Sequence, residues 1–150
     1  TSLADALYIV AGASIKVRNS TFLGVAGSGI HVALTSVPTT DVLATIDLGT
    51  SPTATTGTNT AGRNTLQTGA VASTNALAGI CVTGSAGTAD QTLNAQGNLF
   101  KAGSTTGTRD CSTTATPAPV LGVDTACADA VDLGIAAASR TTIETANCTQ

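Results

Sequence analysis

Tryptophan and methionine are absent from this 150-residue chain, and histidine, tyrosine and glutamate occur once each. Two phenylalanines complete the aromatic set, and charged residues make up only 10%. Each shortage excludes something. Six basic residues (Lys16, Arg18, Arg63, Lys101, Arg109, Arg140) lie scattered against nine acidic ones. Phosphate binding needs a clustered cationic surface and base stacking needs aromatic platforms, so nucleic acid is no partner. The longest apolar stretch, 6–13, falls far short of the roughly 20 residues that span a bilayer, so no membrane span is expected. Neither a G-x-x-x-x-G-K loop nor a G-x-G-x-x-G turn occurs, and no cofactor is expected. A chain this poor in titratable groups lacks the material for a catalytic cleft, and the expectation is that it is not an enzyme.

The chain begins at Thr1 and holds no methionine, which points to a processed product, most simply one that has lost a secretory signal. Cys81, Cys111, Cys127 and Cys148 are even in number and contain no C-x₂₋₄-C pair. They read as a disulfide framework rather than a zinc site, and so as a secreted or cell-surface protein. Cys81–Cys111 with Cys127–Cys148 is the preferred pairing, because each closes a loop worth about 3 kcal/mol in the chain-entropy model. Cys111–Cys127 with Cys81–Cys148 is the alternative.

What the chain has is small residues. Threonine, alanine, glycine and serine fill 82 positions, and Leu, Ile, Val and Phe only 32. Seventeen of those 32 fall within 3–48, two in 49–76, six in 77–100, none in 101–119 and seven in 120–150. The first third therefore carries most of the core. It reads as three or four strands, because apolar residues alternate at Ile15 and Val17, at Ile30, Val32 and Leu34, and at Val42, Ala44, Ile46 and Leu48. A polar tract, 51–65, reads as a loop or a strand polar on both faces, and a second runs through 102–119. Short strands are expected at Ile80-Cys81-Val82, at Thr92-Leu93 and at Leu99-Phe100, with a last one over 141–145. Over 128–140 a helix is favoured above a strand, since Val131, Ile135 and Ala138 fall at helical spacing. No repeat period emerges. The expected fold is one all-β domain over 1–150, resembling a β-sandwich, with one short C-terminal helix and disulfide stabilisation. Its parts are an apolar strand-rich 1–48, a polar tract at 49–65 and a disulfide-bearing 77–150.

Few constellations could carry chemistry. His31 stands on an alternating strand, as a solvent-facing or side-chain-paired residue would. Ser28 is flanked by glycines and should face away from His31, which argues against a nucleophile–base pair. Asp124, Asp129 and Asp132 match no calcium loop. Lys16, Lys101 and Glu144 could take part in an isopeptide bond only if buried. Thr-x-Thr triplets, as in Thr58-Asn59-Thr60, do not recur at the constant interval that an ice-binding solenoid would use. Two sequons make Asn19 and Asn147 glycosylation candidates, and the polar tracts suit O-glycans.

Small hydroxylated side chains lose little rotamer entropy on ordering, and a domain this short of apolar bulk gains from burying surface against neighbours. The functional expectation is a structural subunit of an extracellular filament, pilus or surface layer. Its partners would be copies of itself or a separate filament-core subunit. Leu7, Ile9, Ile15 and Val17 mark the candidate strand for β-addition to a neighbour. The alternative is a monomeric secreted adhesin or glycan-binding module.

Overall fold

The computed structural model describes residues 5–34, 38–51, 60–68, 79–84, 87–102, 120–121, 131–133 and 141–144. Twelve strands and no helix lie among them, in three sheets whose pairings are all parallel. The chain visits the sheets in rotation. In the first coil β1 (Leu7–Val10), β2 (Ile15–Lys16) and β3 (Thr21–Phe22) each enter a different sheet. The second coil is β4 (Ile30–Leu34), β5 (Ile46–Asp47) and β6 (Thr65–Thr68), and the third is β7 (Ile80–Gly84), β8 (Gln91–Asn94) and β9 (Leu99–Ala102). A fourth turn supplies β10 (Val120–Leu121), β11 (Val131–Leu133) and β12 (Thr141–Glu144). The sheet orders are β1-β4-β7-β11-β10, β12-β8-β5-β2 and β3-β6-β9. The fold is a three-sided parallel coil.

All-β architecture agrees with the alternation in the sequence, but the sandwich and the helix give way. Alternation tells which side chains face a core and is silent on the direction of the neighbouring strand. Here a strand meets the strand of the preceding coil only after the chain has turned three corners, so the two run the same way. Within 128–140, the described residues Val131–Leu133 pair with Ile80–Val82 as a strand. Alanine's helix preference, a few tenths of a kcal/mol per residue, loses to a full set of ladder bonds along β7. The cysteine pairing lies outside the described residues, Cys81 excepted. Cys81 lies buried on β7 and carries no free thiol. Cys111, Cys127 and Cys148 lie outside the described residues, as do Asn147, Asp124 and Asp129.

Inward register rows build the core. Leu7, Ile30 and Ile80 form one row, and Ile9, Val32 and Val82 a second. Ile15, Ile46 and Leu93 enter from the second sheet, and Phe22 and Leu66 from the third, joining Val17, Leu43 and Leu48 in one cluster. The stretch expected as a strand over 42–48 is mostly turn. Asp41 Oδ1 accepts the Leu43 and Ala44 N–H groups and its Oδ2 accepts that of Thr92, so only Ile46–Asp47 stays extended.

The corner between the second and third sheets carries its own ladder. Asn64 and Asn98 are fully buried, yet every amide atom has a partner. Asn64 Oδ1 accepts the Ser20 N–H at 3.0 Å, and Asn98 Oδ1 accepts the Asn64 N–H at 3.0 Å and Nδ2 at 2.9 Å. Asn98 Nδ2 donates to the carbonyls of Leu48 and Ala95, and Asn64 Nδ2 to that of Val17. Each asparagine thus satisfies a backbone group of the coil before it. The residue preceding each rung is left-handed: Asn19 (φ 53°), Arg63 (φ 53°) and Gly97 (φ 68°). At Gly97 a Cβ would press on Ala61 Cβ at 2.5 Å, so only glycine fits there.

Replacing Asn98 by leucine removes four buried hydrogen bonds, those from the Asn64 N–H and Nδ2 and those to the Leu48 and Ala95 carbonyls. Urea unfolding of Asn98→Leu should show a loss of about 3 kcal/mol or more, against less than about 0.5 kcal/mol for Ala44→Ser on the exposed turn. Equal midpoints for the two variants would mean that the amide ladder does not hold the coils together.

Candidate functional site

Two features of the described surface stand apart, and both involve the first coil. The first is its edge. Among the described residues β1, β2 and β3 are the terminal strands of their sheets, each paired on one side only. Leu7 N–H donates to Gly29 O and Ala11 N–H to Ala33 O, so the odd residues of β1 face β4. By the alternation of a parallel strand, the N–H groups of Tyr8 and Val10 face away from the sheet. The exposed large hydrophobic residues among those described are Tyr8 at 55%, Val10 at 45% and Leu23 at 38%, all in this coil. The sequence-derived assembly residues lie differently: Ile9 and Val17 are buried and Leu7 and Ile15 half-buried, so the edge they offer is backbone. The signal that sequence reading missed is the other half of the alternation, where Tyr8 and Val10 stand outward.

The second feature is a polar chain across three coils. Asp5 Oδ1 accepts the Ser28 N–H at 2.7 Å, and its Oδ2 lies 2.8 Å from His31 Nδ1. His31 Nε2 lies 2.7 Å from Thr83 Oγ1. The carboxylate can only accept, so Nδ1 carries a proton toward it. With the imidazole neutral, Nε2 then accepts the Thr83 hydroxyl. Tyr8 sets its ring edge-on to the imidazole, centroids 5.0 Å apart. Carboxylate, imidazole and hydroxyl in this order are the parts that activate a nucleophile elsewhere. Here Asp5 and His31 spend their polar atoms on one another, on Ser28 and on Thr83. Thr83 stands on β7, paired with Ala33 of β4. The arrangement fits a tie that fastens the start of β1 to β4 and β7. His31 is thus side-chain-paired, and Ser28 meets Asp5 through its backbone rather than its hydroxyl.

The second sheet carries a charged cluster of its own. Arg18 Nη2 bonds Asp47 Oδ1 at 2.6 Å, Nη1 donates to the carbonyls of Val17 and Asp47, and Nε donates to Thr60 Oγ1. Thr60 and Thr50 close the root of the polar tract through Thr50 N–H to Thr60 O. Lys16 stands 3.6 Å from Asp47 with 55% of its side chain exposed, not buried as an isopeptide donor requires. Asn19, the sequon residue, is exposed at the corner after β2. Among the described residues no group of three or more His, Cys, Asp or Glu could hold a metal ion, and no helix is long and apolar enough to cross a membrane. No protein-family model, curated protein or solved structure matches this chain.

If Asp5, His31 and Thr83 act as one unit, their deletions will not add. Asp5→Ala and His31→Ala should each cost about 1–3 kcal/mol in urea unfolding, and the double variant should fall short of their sum by at least about 1 kcal/mol. Strict additivity would dissolve the tie into independent contacts.

Proposed function

We propose that this chain is a structural subunit of an extracellular polymer, assembled through the open edge and exposed apolar face of its first coil. One observation carries the reading: the exposed large hydrophobic side chains of the described residues gather on the coil whose three strands have no outer neighbour among the described residues. An open strand edge beside apolar surface is a template for pairing, and native edges of this kind are normally covered or charged. The occupant is another copy of the same chain, because a parallel coil presents at its far end the strand direction and register that the first coil continues.

The rest of the proposal follows from composition. Secretion or surface display suits the cysteine content, and disulfides at Cys81, Cys111, Cys127 and Cys148 would brace the later coils. Asn19 stands where a glycan would remain in solvent. Catalysis has no part in this reading: the polar chain from Asp5 to Thr83 is structural.

Light scattering and sizing of native protein across a concentration series test the reading. Species far above 14.5 kDa should grow with concentration. Val10→Pro, which deletes an outward N–H and leaves the bonds to β4 intact, should keep the circular dichroism of a folded chain and abolish growth. A single 14.5 kDa species at every concentration would sink the polymer and favour the monomeric adhesin or glycan-binding module.

A further inference from the structure

The far end of the coil breaks the order of the chain. β11 follows β10 in sequence, yet β10 lies outside it, at the end of the first sheet. Two residue pairs hold it there, Val120 with Asp132 and Leu121 with Leu133. The neighbouring sheet carries no such extra strand among the described residues, and ends at β12. One strand therefore occupies a level of the coil that its neighbour leaves open.

The first coil fits that level. In the first sheet the register rows run Leu7, Ile30, Ile80, Val131 and Tyr8, His31, Cys81, Asp132. A further strand continuing these rows beyond β11 would bring residues 7, 8 and 9 beside Val131, Asp132 and Leu133, which is the slot β10 now fills at two positions. In the second sheet the rows run Ile15, Ile46, Leu93, Ile143 and Lys16, Asp47, Asn94, Glu144. The next coil there would set Ile15 beside Ile143 and Lys16 beside Glu144. Apolar follows apolar and a cation follows an anion at adjoining positions.

Resting on the polymer reading above, we propose that β10 is a placeholder that the first coil of a second copy displaces. The incoming β1 pairs with β11 and the incoming β2 with β12, placing Lys16 of one copy at the register position next to Glu144 of the other. Exchange replaces a strand paired with β11 at two positions by one paired at three, and adds β2 beside β12. Until exchange, β10 blocks the flush stacking of coils, so assembly begins slowly and then runs on.

Two sets of variants test this. Val120→Pro with Leu121→Pro removes both β10 N–H donors and weakens the placeholder's hold on β11. The concentration at which polymers appear should therefore fall roughly tenfold and the lag shorten. Glu144→Lys leaves two lysines at the junction, and Lys16→Glu leaves two glutamates. Each variant, folded by circular dichroism, should polymerise at concentrations several-fold higher than the unaltered chain. Mixed one to one, they should copolymerise, because alternation of the two variants sets a cation against an anion at every junction. If neither the unaltered chain nor the β10 variant forms large species, the polymer reading itself fails. Polymers indifferent to both charge variants, or a mixture that stays as inactive as its parts, overturn the register. An unchanged lag in the proline variant overturns the placeholder. Growth that stops at a dimer means that two first coils have met each other, and overturns the exchange as well.

Discussion

Each coil of this protein must satisfy the backbone of the coil beside it, and the rest of the structure depends on that requirement. A parallel strand cannot close its hydrogen bonds with the residues just before or after it in sequence. Its partner is a whole coil away, at separations of 23, 50 and 51 residues in the first sheet, from Leu7 to Ile30, Ile80 and Val131. Pairing at such distance carries a loop-closure cost that rises only slowly with length. Long polar tracts can therefore be inserted at corners while the strands stay in register, provided the corners themselves are held. Asn64 and Asn98 hold one of them, Arg18 with Asp47 and Thr60 the root of an insertion, and Asp5 with His31 and Thr83 the entry to the first coil.

This division of labour explains how so little apolar bulk suffices. The core is a narrow column rather than a slab between two broad sheets. Its rows of Ile, Val and Leu are completed one coil at a time, and small residues fill the corners, where the backbones of neighbouring coils approach closely. Buried amides and a guanidinium take the place of larger side chains in a thicker core, and in return every polar atom must be paired. Among the described residues the first coil has strand neighbours on one side only. Its outward Tyr8 and Val10 are the counterpart of inward positions that the core has claimed.

The repeat was present in the sequence in a form that a search for a fixed period misses. Gly29-Ile30-His31-Val32 returns as Gly79-Ile80-Cys81-Val82. The corner Asn19-Ser20-Thr21-Phe22 returns as Arg63-Asn64-Thr65-Leu66 and Gly97-Asn98-Leu99-Phe100. The intervals differ, 44 residues from Asn19 to Arg63 and 34 from Arg63 to Gly97, because insertions are absorbed between corners. A constant interval is therefore not a requirement for a coil, although that requirement led away from a solenoid. The candidate site was harder to see. Asp5, His31 and Thr83 come from three different coils, and nothing in their spacing links them.

From residues alone one can derive that the chain is β-structured, that Ile15 and Val17 or Ile30, Val32 and Leu34 face a core, and that Ile80, Leu93 and Leu99 lie in strands. Those are consequences of side-chain period within single strands, a local property. The direction of pairing, the rotation through three sheets, the burial of Asn64 and Asn98, the strand at Val131–Leu133 and the place of β10 beyond β11 were settled by folding. Each depends on which distant backbone groups come within hydrogen-bonding range, and that is decided by the coil as a whole.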